Sequence, residues 1–155
     1  MHKKIIVGVL GLPIRKNENG ETEFLLTQRF APTRPDAHLH WQCAGGALEF
    51  GENPEETLVR EFKEELDVIP QILYHQPVVT SYTWKTHPEH PVHLILIIYP
   101  VSIGNQKITI TDPDEETSAW DWYTFESIKT LKLLSGTMEA VQKTNELIIK
   151  GLLKF

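Results

Sequence analysis

The sequence from Gly46 to Val68 reads GALEFGENPEETLVREFKEELDV and contains the best-marked helix of the chain. Asn53 is suited to cap this helix, because its side-chain oxygen can accept a hydrogen bond from a free backbone N–H of the first turn. Pro54 suits the first helical position, and Glu56 stands three residues after Asn53, as in a capping box. The pattern therefore predicts a helix that follows a glycine-containing loop and ends at about Leu66.

At 100° per residue, this helix separates into an apolar arc and an acidic arc. The apolar arc is expected to face the core and comprises Leu58, Val59, Phe62 and Leu66. The acidic arc holds Glu61, Glu64 and Glu65, and each like-charge pair at these spacings destabilises a helix by about 0.2–0.5 kcal/mol. A divalent cation such as Mg²⁺, which prefers carboxylate oxygens and water, would convert this repulsion into coordination. On spacing alone, a solvated acidic face is the alternative.

Strands are predicted on both sides of this helix, and a second helix closes the sequence. The strand candidates are Ile5–Leu10, Glu23–Arg29, Trp41–Ala44, Ile72–Thr83, Val92–Ser102, Lys107–Thr111 and Trp120–Tyr123. The spacing of Met138, Val141, Ile148 and Leu152 favours a helix from about Thr137 to Leu153. This order predicts an α/β fold with a mixed sheet between helices. Since no linker or repeat divides the sequence, we expect one domain over residues 1–155.

Composition excludes several classes of protein. The chain has 155 residues with 15 Lys and Arg against 21 Asp and Glu, which gives a formal net charge of −6. Such a chain lacks the basic surface that binds nucleic acid polymers or anionic membranes. No apolar stretch approaches the length of about 18 residues that a transmembrane helix needs. Cys43 is the sole cysteine, so no intrachain disulfide can form, and we expect a cytoplasmic protein.

The stretch from Gly46 resembles the Nudix box, G-x5-E-x7-R-E-U-x-E-E-x-G-U, in which U is a bulky aliphatic or aromatic residue. The matching positions are Gly46, Glu52, Arg60, Glu61, Phe62, Glu64, Glu65 and Val68. Asp67 stands where the family has Gly, and Asp tolerates the left-handed conformation better than most residues. Phe24–Arg29 and Trp41–Gly46 follow the order of MutT-like members, with Ala44 in place of the usual Pro. Residues 115–122 resemble the family's glutamate-then-Trp segment.

The resemblance implies a Nudix-type α/β/α sandwich and a metal site. Glu61, Glu64 and Glu65 would hold Mg²⁺ or Mn²⁺ together with the backbone carbonyl of Gly45. Glu116 would add a carboxylate from outside the box, with Glu115 as its rival.

The resemblance also implies roles in catalysis. Glu61 would act as general base, and Arg60 would orient it while pairing with Glu52 to brace the loop against the helix. Gly46, beside Gly45, would let the backbone approach the metal closely. Arg29 would contact a phosphate, although a structural surface arginine is the alternative.

Other polar and aromatic residues give weaker signals. Trp84, Trp120 and Trp122 are candidates for stacking on a base, and we expect Trp120 and Trp122 to face opposite sides of a strand. His38 and His40 could touch substrate. The spacing of His87, His90 and His93 invites a zinc assignment, but Pro88 and Pro91 interrupt any helix that would align the three.

The function that follows from the resemblance is metal-dependent hydrolysis of a nucleoside diphosphate linked to a further group. A (deoxy)nucleoside triphosphate, cleaved to a monophosphate and pyrophosphate, is the favoured substrate. ADP-sugars, sugar nucleotides and dinucleoside polyphosphates are alternatives, as is a non-catalytic nucleotide-binding module of the same fold. The partner is thus a small nucleotide, and a homodimer is compatible because dimers are common in this family.

Overall fold

The structure is a computed structural model that describes residues 3–85 and 91–155. Its elements, in chain order, are β1 (Lys4–Lys16), β2 (Thr22–Arg29), β3 (Trp41–Gln42), β4 (Ala44–Ala47), α1 (Pro54–Leu66), β5 (Gln71–Ile72), β6 (Val78–Trp84), β7 (Val92–Ser102), β8 (Thr117–Thr124), α2 (Phe125–Ile128) and α3 (Thr137–Ile149). No helix in these described ranges is long and apolar enough to cross a membrane.

The long strand β1 joins the two halves of a mixed sheet. In one half it pairs antiparallel with β4 and parallel with β7, which in turn pairs antiparallel with β6 and the short β5. In the other half, the end of β1 pairs with β2, which lies between β3 and β8. The predicted mixed sheet is confirmed.

Helices cover both faces of this sheet. On one face, α1 packs through Leu58, Phe62 and Leu66 against Val9 and Leu25. On the other face, Ile128 of α2 and Val141 of α3 pack with side chains of β1, β2 and β7, namely Leu12, Ile14, Phe24, Leu26 and Ile98. Because apolar surface is buried on both sides of the strands, the domain is an α/β/α sandwich, as predicted.

The predicted caps of α1 are confirmed. The Asn53 side chain accepts a hydrogen bond from the backbone N–H of Glu56 at 3.0 Å, and the Glu56 carboxylate accepts one from the backbone N–H of Asn53 at 3.2 Å. Asp67 ends the helix with φ 55° and ψ 38°, in the left-handed region. Val59, however, is 42% exposed, so its predicted place in the core was wrong.

Two strand predictions were wrong for identifiable reasons. The segment Ile72–Thr83 divides into β5 and β6, because the chain turns between them and Pro77 has no N–H for a ladder. Lys107–Thr111 forms no strand, since its polar groups bond to the end of α1 instead. The backbone N–H groups of Thr109 and Thr111 donate to the carbonyls of Leu66 and Glu65, both at 3.0 Å. These carbonyls have no partner within the helix.

Three smaller differences concern the remaining elements. Cys43 separates β3 from β4, which pair with different strands. Helix α3 ends at Ile149, and after the turn at Gly151 it is Leu153, not Leu152, that is buried. Trp120 and Trp122 pack against the same α1-side core, contrary to prediction, because residues two apart in a strand share one face.

Candidate active site

Arg60 ties the loop before α1 to the helix. Its Nε donates to Glu52 Oε2 at 2.8 Å and its Nη2 donates to Glu52 Oε1 at 3.0 Å. Nη2 also donates to the carbonyl of Ala47 at 3.1 Å, and Nη1 donates to Glu61 Oε1 at 2.8 Å. The hydrogen bonds from Arg60 lower the pKa of Glu52 to about 2, with a further contribution from the backbone N–H of Glu49. The guanidinium thus connects a loop carboxylate to a carboxylate on α1.

Glu61 lies directly over the backbone of Gly46. A Cβ atom at Gly46 would overlap the carboxylate of Glu61, so this position of the carboxylate requires glycine in β4. Burial raises the pKa of Glu61, while the hydrogen bond from Arg60 acts in the opposite direction. The carboxylate is therefore held by a charged donor on one side and by bare backbone on the other.

Glu65 is the most deeply buried acid of the site, with 6% of its surface exposed. Its Oε2 accepts a hydrogen bond from the backbone N–H of Gly45 at 3.2 Å, and its Oε1 accepts one from the Thr117 hydroxyl at 2.8 Å. Burial raises its pKa to about 7, although both hydrogen bonds favour the charged form. Glu65 thereby joins α1 to β4 and β8.

Two further glutamates of the predicted set are more exposed. The Glu64 side chain is 46% exposed and lies 3.4 Å from Arg60 Nη1. The Glu116 side chain is 53% exposed and forms an ion pair with Arg29 at 3.5 Å. Both line the same pocket, as do Glu61, Glu65 and Arg29. Glu115 is not among the residues that line this pocket in the described part of the chain, and it has a φ of 54°.

Asp112 is an acid of this pocket that the sequence analysis missed. Its carboxylate accepts hydrogen bonds from the backbone N–H groups of Asp114 and Glu116, both at 3.0 Å. Its charge contributes to raising the pKa values of Glu61 and Glu65. The Asp-Pro-Asp run before Glu116 is a turn signal that could have drawn attention to it.

The pocket has a volume of about 550 Å³ and two chemically different ends. The carboxylates lie at one end, next to Gly45 and Gly46. The other end is formed by Arg34, from the loop between β2 and β3, and by apolar and aromatic side chains of the sheet, which include Leu94, Leu96, Tyr82 and Trp84. The predicted residue Trp84 thus lines the same pocket as the carboxylates, at its opposite end.

The histidine candidates are not brought together at this pocket. His38 Nδ1 accepts a hydrogen bond from the backbone N–H of Ala31 at 3.1 Å, and neither His38 nor His40 lines the pocket within the described residues. His87 and His90 lie outside the described residues, and His93 is an exposed residue of β7.

Comparison with known proteins establishes the family. A model of the NUDIX domain family matches residues 6–143. The chain belongs to the Nudix family. This membership confirms the resemblance inferred from the box, and with it the prediction of a hydrolase of this family.

Individual relatives are distant. A nucleoside triphosphatase, NudI, from Enterobacter sp. (strain 638) is 28% identical over 63% of this chain and 70% of its own length. An 8-oxo-dGTP diphosphatase from Escherichia coli (strain K12) is 39% identical over 44% of this chain and 46% of its own length. The crystal structure of a MutT Nudix hydrolase from Burkholderia pseudomallei superimposes with a TM-score of 0.69 at 20% identity, covering 90% of this chain and 97% of the other.

Nudix enzymes generally use divalent metal ions, and the donor chemistry of this Nudix pocket fits such ions. Carboxylate oxygens are the ligands that hard divalent cations prefer. Cys43 offers no competing thiolate, because burial raises its pKa to about 12.

The carboxylates are not gathered around a single point. Among the described residues, no three His, Cys, Asp or Glu side chains converge on one metal position. Arg60 Nη1 stands close to Glu61 and Glu64, at 2.8 and 3.4 Å, and its positive charge holds these two carboxylates near each other.

Proposed function

We propose that this Nudix protein hydrolyses a phosphoanhydride bond of a nucleoside diphosphate linked to a further group, with Mg²⁺ as cofactor and Mn²⁺ as a substitute. The favoured substrate is a (deoxy)nucleoside triphosphate, cleaved to a monophosphate and pyrophosphate. The observation that carries the proposal is that three box glutamates, Glu61, Glu64 and Glu65, line one pocket together with Arg29 and an apolar end. The names of the two relatives, a triphosphatase and a triphosphate diphosphatase, favour the triphosphate among the alternatives.

The carboxylates of Glu61, Glu64, Glu65 and Glu116 would hold the metal, with the carbonyl oxygen of Gly45 as a further metal ligand. When bound, a divalent metal neutralises phosphate charge and lowers the pKa of a bound water. Asp112 lies close enough to influence the pKa values of Glu61 and Glu65, so it would add negative charge to the same cation site.

The chain's own residues would bind the phosphates and move the proton. Glu61 would accept the proton of the attacking water, because Arg60 and the bare backbone of Gly46 hold its carboxylate in one position within the pocket. Arg60, braced by Glu52, would fix the orientation of Glu61. Arg29 would bind a phosphate once Glu116 turns toward a metal, because their ion pair is long, at 3.5 Å.

The test is a nucleotide panel assayed with Mg²⁺, with the products identified. We expect pyrophosphate and a monophosphate from at least one triphosphate, and a large loss of activity in Glu64→Gln and Glu65→Gln. Release of AMP and ribose 5-phosphate from ADP-ribose, or of two nucleoside phosphates from a dinucleoside polyphosphate, would move the substrate to those classes. Full activity in both variants would contradict the metal site, and binding without hydrolysis of any nucleotide would identify a non-catalytic module.

We also propose that residues 1–155 form one Nudix domain, which a single cooperative unfolding transition would support. The lone, buried Cys43 suits a reducing compartment, and we propose the cytoplasm as the location. The partner would be a small nucleotide and not a nucleic acid polymer, consistent with the net charge of −6. A homodimer would be compatible with this function, and sedimentation would measure the oligomeric state.

A further inference from the structure

The apolar end of the pocket lies at a distance from the carboxylates that a nucleotide can span. The strand order β4, β1, β7, β6 places Gly45 and Gly46 at one side of the pocket and Tyr82 and Trp84 at the other. Since neighbouring strands lie about 4.8 Å apart, β7 lies about 10 Å from β4 across the sheet. Leu96 and Leu94 lie one and three residues along β7 from Ile97, which is level with Gly46. A nucleotide with its phosphates at the carboxylates would therefore place its base over this part of β7, beside β6.

The floor at this end is largely apolar. Leu94 and Leu96 of β7 line it, and their cross-strand partners on β6 are Tyr82 and Thr80. Gly8 of β1 contributes only backbone atoms to this floor. A Cβ atom at Gly8 would lie 2.9 Å from the side chain of Leu96. Such a floor suits a planar ring system, which contacts apolar side chains through its face.

Arg34 brings a positive charge to this end of the pocket. Its guanidinium carbon lies 4.0 Å from the ring centroid of Trp84, and its side chain is only 13% exposed. Its Nη2 lies 3.4 Å from Asp36 Oδ2, a long ion pair. A guanidinium has five N–H donors in a rigid fork, and no other hydrogen bond from this fork is made to residues 3–85 or 91–155.

The backbone around Arg34 is also well held. The carbonyl of Arg34 accepts hydrogen bonds from the N–H groups of Ala37 at 3.0 Å and His38 at 2.8 Å, and its own N–H donates to the carbonyl of Ala31 at 2.8 Å. The ring of Trp84, with its centroid 4.0 Å from the guanidinium carbon, further limits the position of the guanidinium. Arg34 thus presents a pre-oriented fork of donors to the pocket.

A fork of this kind matches a pair of adjacent acceptors. Guanine offers O6 and N7 on one edge, whereas adenine presents the N6 donor beside N7. A phosphate would match the fork as well. In the proposed function, however, the phosphates lie beside Gly45 and Gly46 of β4, whereas Arg34 lies over Trp84 of β6, three strands away. We propose that Arg34 is a specificity-determining residue that binds the O6/N7 edge of a guanine-type base. This inference rests on the proposed nucleotide hydrolase activity of the same pocket.

The stacking geometry gives Trp84 a different role from the one that its aromatic ring first indicated. Because Arg34 covers one face of the indole, Trp84 is a positioning residue that holds the guanidinium, and it need not stack on the base itself. Trp84→Phe preserves a ring for stacking, whereas Trp84→Leu removes it. The two variants therefore separate the aromatic contact from simple filling of space.

The experiment compares guanine and adenine nucleotides in Arg34→Lys, which keeps the charge and loses the fork. Arg15→Lys is the matched control, because Arg15 makes a similar stack at 4.2 Å on Trp122, away from this pocket. We expect the unmodified protein to prefer dGTP over dATP by about 10- to 100-fold in kcat/KM, as one bidentate base contact allows. Arg34→Lys should bring this ratio close to 1, mainly through KM, and Trp84→Leu should lower it while Trp84→Phe retains most of it. Arg15→Lys should leave it unchanged.

Binding of GMP and AMP, measured by calorimetry, gives a readout that does not depend on hydrolysis. Absence of activity on every nucleotide would contradict the proposed function, while a GMP preference that disappears in Arg34→Lys would still support this role of Arg34. Equal binding of GMP and AMP by the unmodified protein would overturn the inference. An equal loss for both nucleotides in Arg34→Lys would also overturn it, since it would mark a phosphate contact.

Discussion

The carboxylate of Glu61 lies against the Cα atom of Gly46, with no room between them for a side chain on Gly46. The two residues are 15 positions apart, on α1 and β4, and their contact sets the position of an acid that Arg60 also holds. In the proposed enzyme, the same contact fixes the group that accepts the proton from water.

We expect Gly46→Ala to lower kcat/KM by about 100-fold or more, because a misplacement of about 1 Å at a catalytic group can cost this much. Steady-state kinetics would measure the loss. Gly20→Ala is the control: Gly20 has φ 78° in open space, so the change strains a turn far from the pocket. The control should lower the melting temperature and leave kcat/KM unaltered. Equal activity of Gly46→Ala and the parent would contradict the importance of this contact.

Glu52→Gln should weaken the brace that Arg60 provides and should do so in a pH-dependent way. The pKa of Glu52 is lowered to about 2 in the folded protein, from an unfolded value of about 4.5. Its charge therefore contributes stability above about pH 4.5, and this contribution is lost as the pH falls toward 2. The melting temperatures of parent and variant should differ at pH 7, and the difference should shrink progressively as the pH falls from about 4.5 toward 2. A difference that stays constant from pH 7 to pH 3 would argue against this ion pair.

Asp112→Asn should raise the Mg²⁺ concentration required for half-maximal activity by several-fold. Asn keeps one of the two oxygens that accept hydrogen bonds from Asp114 and Glu116, so the turn retains one of these bonds while the pocket loses one negative charge. Titration of activity with Mg²⁺ measures the change. Asp121→Asn, an exposed change on β8 outside the pocket, serves as the control. The prediction fails if both variants show the parental metal requirement.

Asp67→Gly should raise the melting temperature slightly, whereas Asp67→Ala should lower it. Asp67 adopts φ 55°, where a Cβ atom costs about 1 kcal/mol or more. Glycine relieves this strain and loses an exposed ion pair with Lys63, which contributes about 0–1 kcal/mol. Thermal unfolding distinguishes the two variants. A lower melting temperature for Asp67→Gly would show that the pair with Lys63 outweighs the backbone strain.

Cys43 should resist alkylation in the folded protein. It is 1% exposed, and burial raises its pKa to about 12, so almost none of it is thiolate at pH 8. Labelling with iodoacetamide should be slow in buffer and rapid in urea, where the chain is unfolded. Rapid labelling of the folded protein would contradict the burial of this thiol. In addition, Cys43→Ser should retain full activity, because the proposed site does not use the sulfur.

The helix α1 and its glutamates could be predicted because the interactions that define them are local. The capping box spans Asn53 to Glu56, and the left-handed end at Asp67 follows from the same segment. The helical repeat of 3.6 residues then determines which carboxylates are adjacent. The wrong prediction for Val59 shows the limit of this argument, since the width of the buried face depends on what packs against it.

The choice of Glu116 over Glu115, the place of Asp112 and the stack of Arg34 on Trp84 depend on contacts between distant parts of the chain. Thr117 reaches Glu65 across 52 positions, and Arg34 meets a strand 50 positions further on. Strand pairing and loop geometry decide such contacts, and no periodicity within a short segment encodes them. Local hydrogen bonds and helical spacing thus specified the acidic helix, whereas the packing of loops and strands around it decided which other side chains share its pocket.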